Sequence, residues 1–311
     1  MNIAEGLLPA FFALGVGFAA GKAHLVDNTR IGALNTIVMT IALPIALFAI
    51  LAGADRDDVI SHLAVAGAVA AVMAVVFASV YLLHRRAQVF AASAAVPALT
   101  VAFPNTAAIG FPLADATLGP TGALAVAVSL AVGGLTISPV TIAILEGSSR
   151  PRPTTHVVRA RLKTFGKALL TPVVIAPFLG VMWSLAGIPF PELAVKTLGE
   201  VGGITSGLAL IVTGLVLSAQ PLGLTWSAAI DSVIANIGRP LLAVGFVLLV
   251  GMTGDMAKET VLLLAVPSGF FGVLLGLAHG ADPASAGRTL FYSTLLSLVT
   301  VPATIAILPL L

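Results

Sequence analysis

The sequence predicts an all-α membrane protein of ten transmembrane helices. They form two inverted five-helix repeats whose fourth and ninth helices are broken and cross. Three observations carry this reading. The 311-residue chain is 59% hydrophobic and only 9% charged, against about 25% charged in soluble domains. Apolar runs of about 20 residues, enough to cross ~30 Å of hydrocarbon, recur from end to end. Two proline breaks, Phe103-Pro104-Asn105-Thr106 and Val266-Pro267-Ser268-Gly269, are 163 residues apart, and Ser138–Leu145 (SPVTIAIL) returns at the same offset as Val301–Leu308 (VPATIAIL).

The ten segments run over 3–21, 33–53, 60–83, 88–117, 120–145, 167–187, 198–218, 225–250, 258–278 and 287–309. The first follows a start with Glu5 and no basic residue up to Ala10. That is a poor signal-peptide n-region, so the segment reads as a retained span. Its Gly15, Gly17 and Gly21 suit close helix packing. The second carries Asn35, Thr40 and Pro44; the third ends in Arg85-Arg86. The fourth holds Pro104 about sixteen residues in, and the fifth holds Thr136, Ser138 and Pro139. After it comes a polar stretch with Arg150, Arg152, Arg159, Arg161 and Lys163. We read residues 147–166 as a basic linker between a first repeat, 1–146, and a second, 167–311.

The sixth segment opens the second copy: Leu179-Gly180-Val181 echoes Leu14-Gly15-Val16 at an offset of 165. Five spans per copy is an odd number, so the second copy enters the membrane from the opposite side, as in several secondary transporters. The seventh offers Thr205 and Ser206, the eighth Asp231, Asn236 and Arg239, the ninth Pro267, and the tenth Ser293 and Thr294. Eleven lysines and arginines fall on the linker side of the membrane and three on the other. The positive-inside rule then puts the linker in the cytoplasm and both termini outside, in a cell inner (plasma) membrane.

Both proline breaks fall near the bilayer midplane at 1.5 Å rise per residue. Proline removes a backbone donor and clashes with the carbonyl four residues back, and freed groups at that depth must pair within protein or line a wet cavity. Asn105 and Ser268 are N-cap residue types. Each is expected to start a half-helix whose positive end attracts an anion at the centre. We therefore expect substrate contacts from Pro104, Asn105, Thr106, Pro267, Ser268 and Gly269. On segment eight, Asn236 and Arg239 are helical neighbours, and an arc of roughly 140° at 3.6 residues per turn includes Asp231. Intramembrane charges mark functional positions by default. Arg239 is expected to attract a carboxylate with Asn236 orienting it, and Asp231 to carry a proton or ion. The bland alternatives are a carbonyl-bound Arg239, an interfacial Asp231 and an Asn236 that bridges helices.

Absences narrow the function classes. No phosphate-binding loop or dense metal-ligand cluster occurs, no serine nucleophile elbow and no cysteine. An enzyme, a cofactor, a bound metal and a nucleic-acid partner are not expected. The basic residues are explained by orientation and lipid.

The order Phe103-Pro104-Asn105-Thr106, Gly110-Phe111-Pro112, with Asn35 and Ala42-Leu43-Pro44 before it and Pro267, Asp282 and Ser293-Thr294-Leu295-Leu296-Ser297 after it, resembles the auxin efflux carrier family over nearly the whole chain. That family includes the plant PIN-FORMED proteins and bacterial malonate or malate carriers. The resemblance implies crossed broken helices and elevator-like alternating access. It also implies a scaffold of spans one, two, six and seven, a moving domain of the other six, and a homodimer through the scaffold. The chain lacks the long cytoplasmic loop of the plant members, so a bacterial type is expected. The function expected is secondary transport of small organic anions such as malonate, malate or other carboxylates. The alternatives are a sodium-coupled carrier of amphipathic or sterol-like acids on a related bile-acid-transporter-like fold, and a uniporter or channel.

Overall fold

Proline placement shapes several of the helices. In the computed structural model, which describes residues 3–26, 28–87, 90–148, 170–220 and 223–311, the regular structure is helical. The chain runs α1 (Ile3–Lys22), α2 (Asn28–Ile37), α3 (Leu43–Gly53), α4 (Arg56–Ser61), α5 (Leu63–Arg86), α6 (Ala91–Ala102), α7 (Phe111–Leu118), α8 (Pro120–Leu135) and α9 (Ile137–Ser148). It continues with α10 (Pro172–Leu185), α11 (Glu192–Ser218), α12 (Trp226–Val233), α13 (Arg239–Val250), α14 (Asp255–Ala265), α15 (Phe271–Ala278) and α16 (Ala284–Ile307). Among the described residues, six stretches are long and apolar enough to cross a membrane: Ile31–Gly53, Arg56–Arg86, Thr121–Ser148, Glu192–Ser218, Trp226–Val250 and Ala284–Leu310. Leu8–Lys22, Ala91–Ala102 and Pro172–Leu185 are shorter apolar helices. All but the first two residues of the expected linker, together with Lys167, lie outside the described residues.

Three π-helical turns join α2 to α3 (Val38–Ala42), lead into α7 (Thr106–Gly110) and join α12 to α13 (Ile234–Gly238). Each is followed by a helix with proline in its first two positions: Pro44, Pro112 and Pro240. A proline cannot donate to the carbonyl four residues back and its ring collides with it. The wider turn relieves the collision: Leu43 N and Arg239 N bond to the carbonyls of Val38 and Ile234, five residues back. The spacing of 3.6 residues per turn used for Asp231, Asn236 and Arg239 does not apply within the π turn Ile234–Gly238.

The helices pack in two groups. In one, α11 lies along α1 and α3, and α10 lies along α3. Glycines set these approaches. A Cβ on Gly17 would overlap the Ile211 carbonyl, and one on Gly214 the Leu14 carbonyl, whereas Gly15 has open space beside it. A Cβ on Gly202 would come within 2.8 Å of Ala46, and one on Gly180 within 2.8 Å of Leu51. In the other group, α5 packs on α6, α8, α13 and α14, α12 on α16, and α15 on α6. The groups touch where the Thr106–Gly110 turn meets α11 and where α8 meets α10. The two halves of the chain differ in detail: α8 and α9 part at Thr136, while α16 runs unbroken through Pro302.

Gly214→Ala is expected to destabilise the protein by ~2 kcal/mol through overpacking, and Gly15→Ala to stabilise it by up to ~1 kcal/mol through helix propensity. Thermal unfolding of the two detergent-purified variants separates these outcomes.

Candidate functional site

The two proline breaks meet. After α6 the chain is extended through Phe103 and Pro104, and after α14 through Val266 to Ser268. Pro104 and Ser268 pair as an antiparallel bridge. Asn105 N donates to Pro267 O at 2.9 Å, and Gly269 N donates to Phe103 O at 2.9 Å and Thr100 O at 3.1 Å. Backbone that leaves the helix here is satisfied by the other break, as hydrocarbon surroundings require. A Cβ on Gly269 would overlap Phe103 O, and one on Gly272 the Thr100 hydroxyl, so glycine is needed for the crossing to close. The Phe103 ring stacks on Phe271 at 4.8 Å and 5°.

Arg239 lies beneath this crossing and is fully buried. Its Nε donates to Leu264 O at 2.8 Å, Nη1 to Val101 O and Nη2 to Val266 O. These carbonyls belong to the C-terminal ends of α6 and α14, which carry orphan acceptors and the negative end of each helix dipole. One guanidinium therefore joins both half-helices. The side chain sits in the carbonyl-bound arrangement, and these three donors are turned to the backbone.

Asn105 is buried; its Nδ2 donates to Thr213 Oγ1 of α11 at 3.4 Å, while its Oδ1 has no partner. Thr106 Oγ1 reaches back to Pro104 O at 3.4 Å. Ser268 N donates to Ser293 Oγ at 2.9 Å, and the Ser268 hydroxyl has no partner. The expected side-chain caps do not form: Asn105 holds the N-cap position without a side-chain cap bond, and Phe270, not Ser268, precedes α15. The crossing displaces both side chains from capping because their backbones are engaged across it. Asn236 bridges to α16, with Nδ2 donating to Ser293 O at 2.9 Å and Thr300 Oγ1 at 3.2 Å.

Asp231 is fully buried. Its carboxylate oxygens are 3.1 and 3.0 Å from His84 Nε2, and Thr289 Oγ1 donates to it at 3.3 Å. Sequence reading missed His84. It precedes Arg85-Arg86 at the end of an apolar helix and reads as one more interfacial base; its partner is 147 residues away.

Among the described residues, two cavities lie at the contact between the helix groups. One, of about 310 Å³, is lined by Asn35, Thr40, Ser138, Thr171, Phe103 and Phe271 among others, with no charged side chain among its described lining. The other, of about 290 Å³, is lined by Phe111, Gly202, Thr205 and Ser206 with α3 residues. The first touches the crossing through Phe103 and Phe271; Asn105, Ser268, Asn236 and Arg239 line neither.

Apolar helices able to span a bilayer, broken twice and crossed at buried polar groups, define a multi-pass membrane protein of the transporter class. The chain belongs to the family described as Membrane transport protein, which it matches over residues 2–305, in keeping with the resemblance to auxin efflux carriers. It is 27% identical to the "Uncharacterized transporter YfdV" of Escherichia coli (strain K12), with 95% of this chain and 94% of that protein covered. It is 23% identical to an "Uncharacterized transporter" of Methanothermobacter thermautotrophicus, covering 97% of each chain. It is 25% identical to the "Putative malonate transporter" of Rhizobium meliloti, covering 95% of this chain and 92% of that one.

Arg239→Gln strands buried carbonyls and is expected to cost ~3 kcal/mol or more, since each unsatisfied group costs about 1–3 kcal/mol. Arg239→Lys, which keeps the charge but not the planar fork, should recover part of it. Unfolding temperatures of the purified variants test this; wild-type stability in Arg239→Gln would contradict it.

Proposed function

We propose that this protein is a secondary transporter that moves small organic anions, such as malonate, malate or other carboxylates, by elevator-type alternating access. The observation that carries the reading is the antiparallel crossing at Pro104 and Ser268, with one cavity touching it through Phe103 and Phe271 and a second at the contact between helix groups near Phe111. A ligand held at the crossing would reach one side of the membrane through the Ser138 cavity and the other through the Thr205 cavity. In this reading α1–α3, α10 and α11 are the scaffold and the second group moves. The halves 1–146 and 167–311 are inverted repeats, the linker is cytoplasmic with both termini outside, and two copies associate through the scaffold.

Pro104, Asn105, Thr106, Pro267, Ser268 and Gly269 form the proposed binding site. The unpartnered Ser268 hydroxyl is its free donor for a carboxylate and the unpartnered Asn105 Oδ1 its free acceptor, and the π turn before α7 and the start of α15 turn positive helix ends toward it. Arg239 adds positive charge from behind the crossing and keeps both half-helices in place. Asn236 positions Ser293 against Ser268. Asp231 is the proposed carrier of a coupling proton or ion.

One observation favours a second reading for the substrate. The larger cavity has no charged lining among the described residues, which suits an acid with one carboxylate and an apolar body better than a compact dicarboxylate. Such a cavity meets the apolar part of a ligand and leaves a second carboxylate without a partner.

Proteoliposome uptake of radiolabelled malonate, malate and indole-acetate, under separately imposed proton, sodium and voltage gradients, tests both. Accumulation of one acid above equilibrium is expected under one gradient. Asn105→Ala should cut that uptake at least ~10-fold, equal to 1.4 kcal/mol, with unfolding temperature unchanged. Normal uptake by Asn105→Ala would remove the crossing from the binding site, and purely dissipative flux would favour a uniporter or channel.

A further inference from the structure

The start of α5 and the second turn of α14 hold a pair of titratable side chains that the crossing does not use. His62 and Glu259 are buried, and His62 Nε2 lies 3.2 Å from Glu259 Oε2. The two atoms meet at ion-pair distance, and neither makes a hydrogen bond. His62 Nδ1 is 2.7 Å from the Asp58 carbonyl oxygen, and Ser61 Oγ donates to the same oxygen at 2.7 Å. A carbonyl oxygen only accepts, so Nδ1 carries a hydrogen. With Nδ1 protonated, a bare Nε2 would face the carboxylate with its lone pair at 3.2 Å, both atoms being buried. A further proton between them, as imidazolium with carboxylate or as imidazole with carboxylic acid, would remove that repulsion. Either form is neutral. Its departure to water leaves imidazole and carboxylate, a net charge of −1 in a buried site.

We propose that His62 and Glu259 form a proton-binding site, and that the proton they share, in place of one on Asp231, is the ion coupled to anion transport. This rests on the transporter reading above. Glu259 lies six residues before the end of α14, ~9 Å from the crossing at 1.5 Å per residue. Helix α5 packs on α14 in the group proposed to move, so a displacement of the crossing carries this site with it. One proton per monoanion makes the cycle electroneutral. The pair of His84 and Asp231, ~33 Å away along α5, has no comparable bond that places a hydrogen on Nδ1.

The surrounding charges are as follows. Helix α4 brings Arg56, Asp57 and Asp58, all exposed. Asp255 and Lys258 of α14 pair with each other at 3.3 Å. Asp115 of α7 is exposed. Arg239 of α13 is held at the crossing. The remaining packed elements contribute Arg288 and Tyr292 on α16, Glu146 on α9, and the backbone of Leu311, bound by Gly254 N at 3.4 Å. Helices α6 and α8 carry no titratable group.

Glu259→Gln supplies the test, because an amide N–H donating to Nε2 copies the protonated pair without a proton to release. Proteoliposomes with wild type or Glu259→Gln are assayed with radiolabelled malonate and indole-acetate, against protein-free liposomes. Wild type is expected to exchange at least one acid at equal pH. Under an inward proton gradient it should accumulate that acid up to about tenfold per pH unit, the factor that 1.36 kcal/mol represents. Glu259→Gln should exchange the acid but lose the gradient-driven accumulation. Accumulation retained by Glu259→Gln, or wild-type exchange that ignores the pH gradient, overturns the coupling. A potentiometric titration of the purified protein needs no substrate: wild type should release about one more proton per chain than Glu259→Gln on alkalinisation. Matching curves overturn the proton site. A titration difference in a protein that exchanges neither acid upholds the proton site and tells against these acids as substrates.

Discussion

The guanidinium of Arg239 bonded to the carbonyls of Val101, Leu264 and Val266 is the interaction on which the rest of the centre depends. Two helices that stop halfway through a bilayer leave carbonyls that water cannot reach. The chain answers with backbone pairing across the crossing and with one buried cation under it. That cation sits at the negative ends of α6 and α14 together, so its desolvation cost is offset by both dipoles and three charge-assisted bonds. The Ile234–Gly238 turn and Pro240 set the point on the helix from which the side chain departs. Removing any one of these parts exposes backbone that has no other partner nearby.

Much of this was legible in the sequence and some was not. The apolar segments, both proline breaks, and Asp231, Asn236 and Arg239 as the polar residues of one helix could all be read directly, because hydropathy, proline and intramembrane charge are local signals. The π turns were less visible, although each is announced by a proline just after it. The side-chain caps failed: Asn105 and Ser268 are capping types, but their backbones are used in the crossing. The partners of Asp231 and Glu259 were out of reach, since His84 and His62 are distant in the chain and look like ordinary helix-end histidines.

Glycine placement connects this centre to the proposed motion. Gly17, Gly202 and Gly214 bring helices of the first group into backbone contact, which favours a rigid unit. Gly269 and Gly272 do the same for the crossing and α6. Between the two groups the contacts are fewer, the Thr106–Gly110 turn against α11 being the central one, and both cavities lie along that contact. Rigid bodies with a thin shared surface are the arrangement in which one could slide past the other.

Accessibility of the two cavities tests the central claim most directly. The chain has no cysteine, so single cysteines placed at Ser138 and Thr205 can each be labelled from one side of a sealed membrane with a charged thiol reagent. The account predicts that the two positions react from opposite sides, and that saturating a transported acid raises one rate while lowering the other. Both positions reacting from the same side, or rates that do not change together with the acid, would contradict alternating access at the crossing.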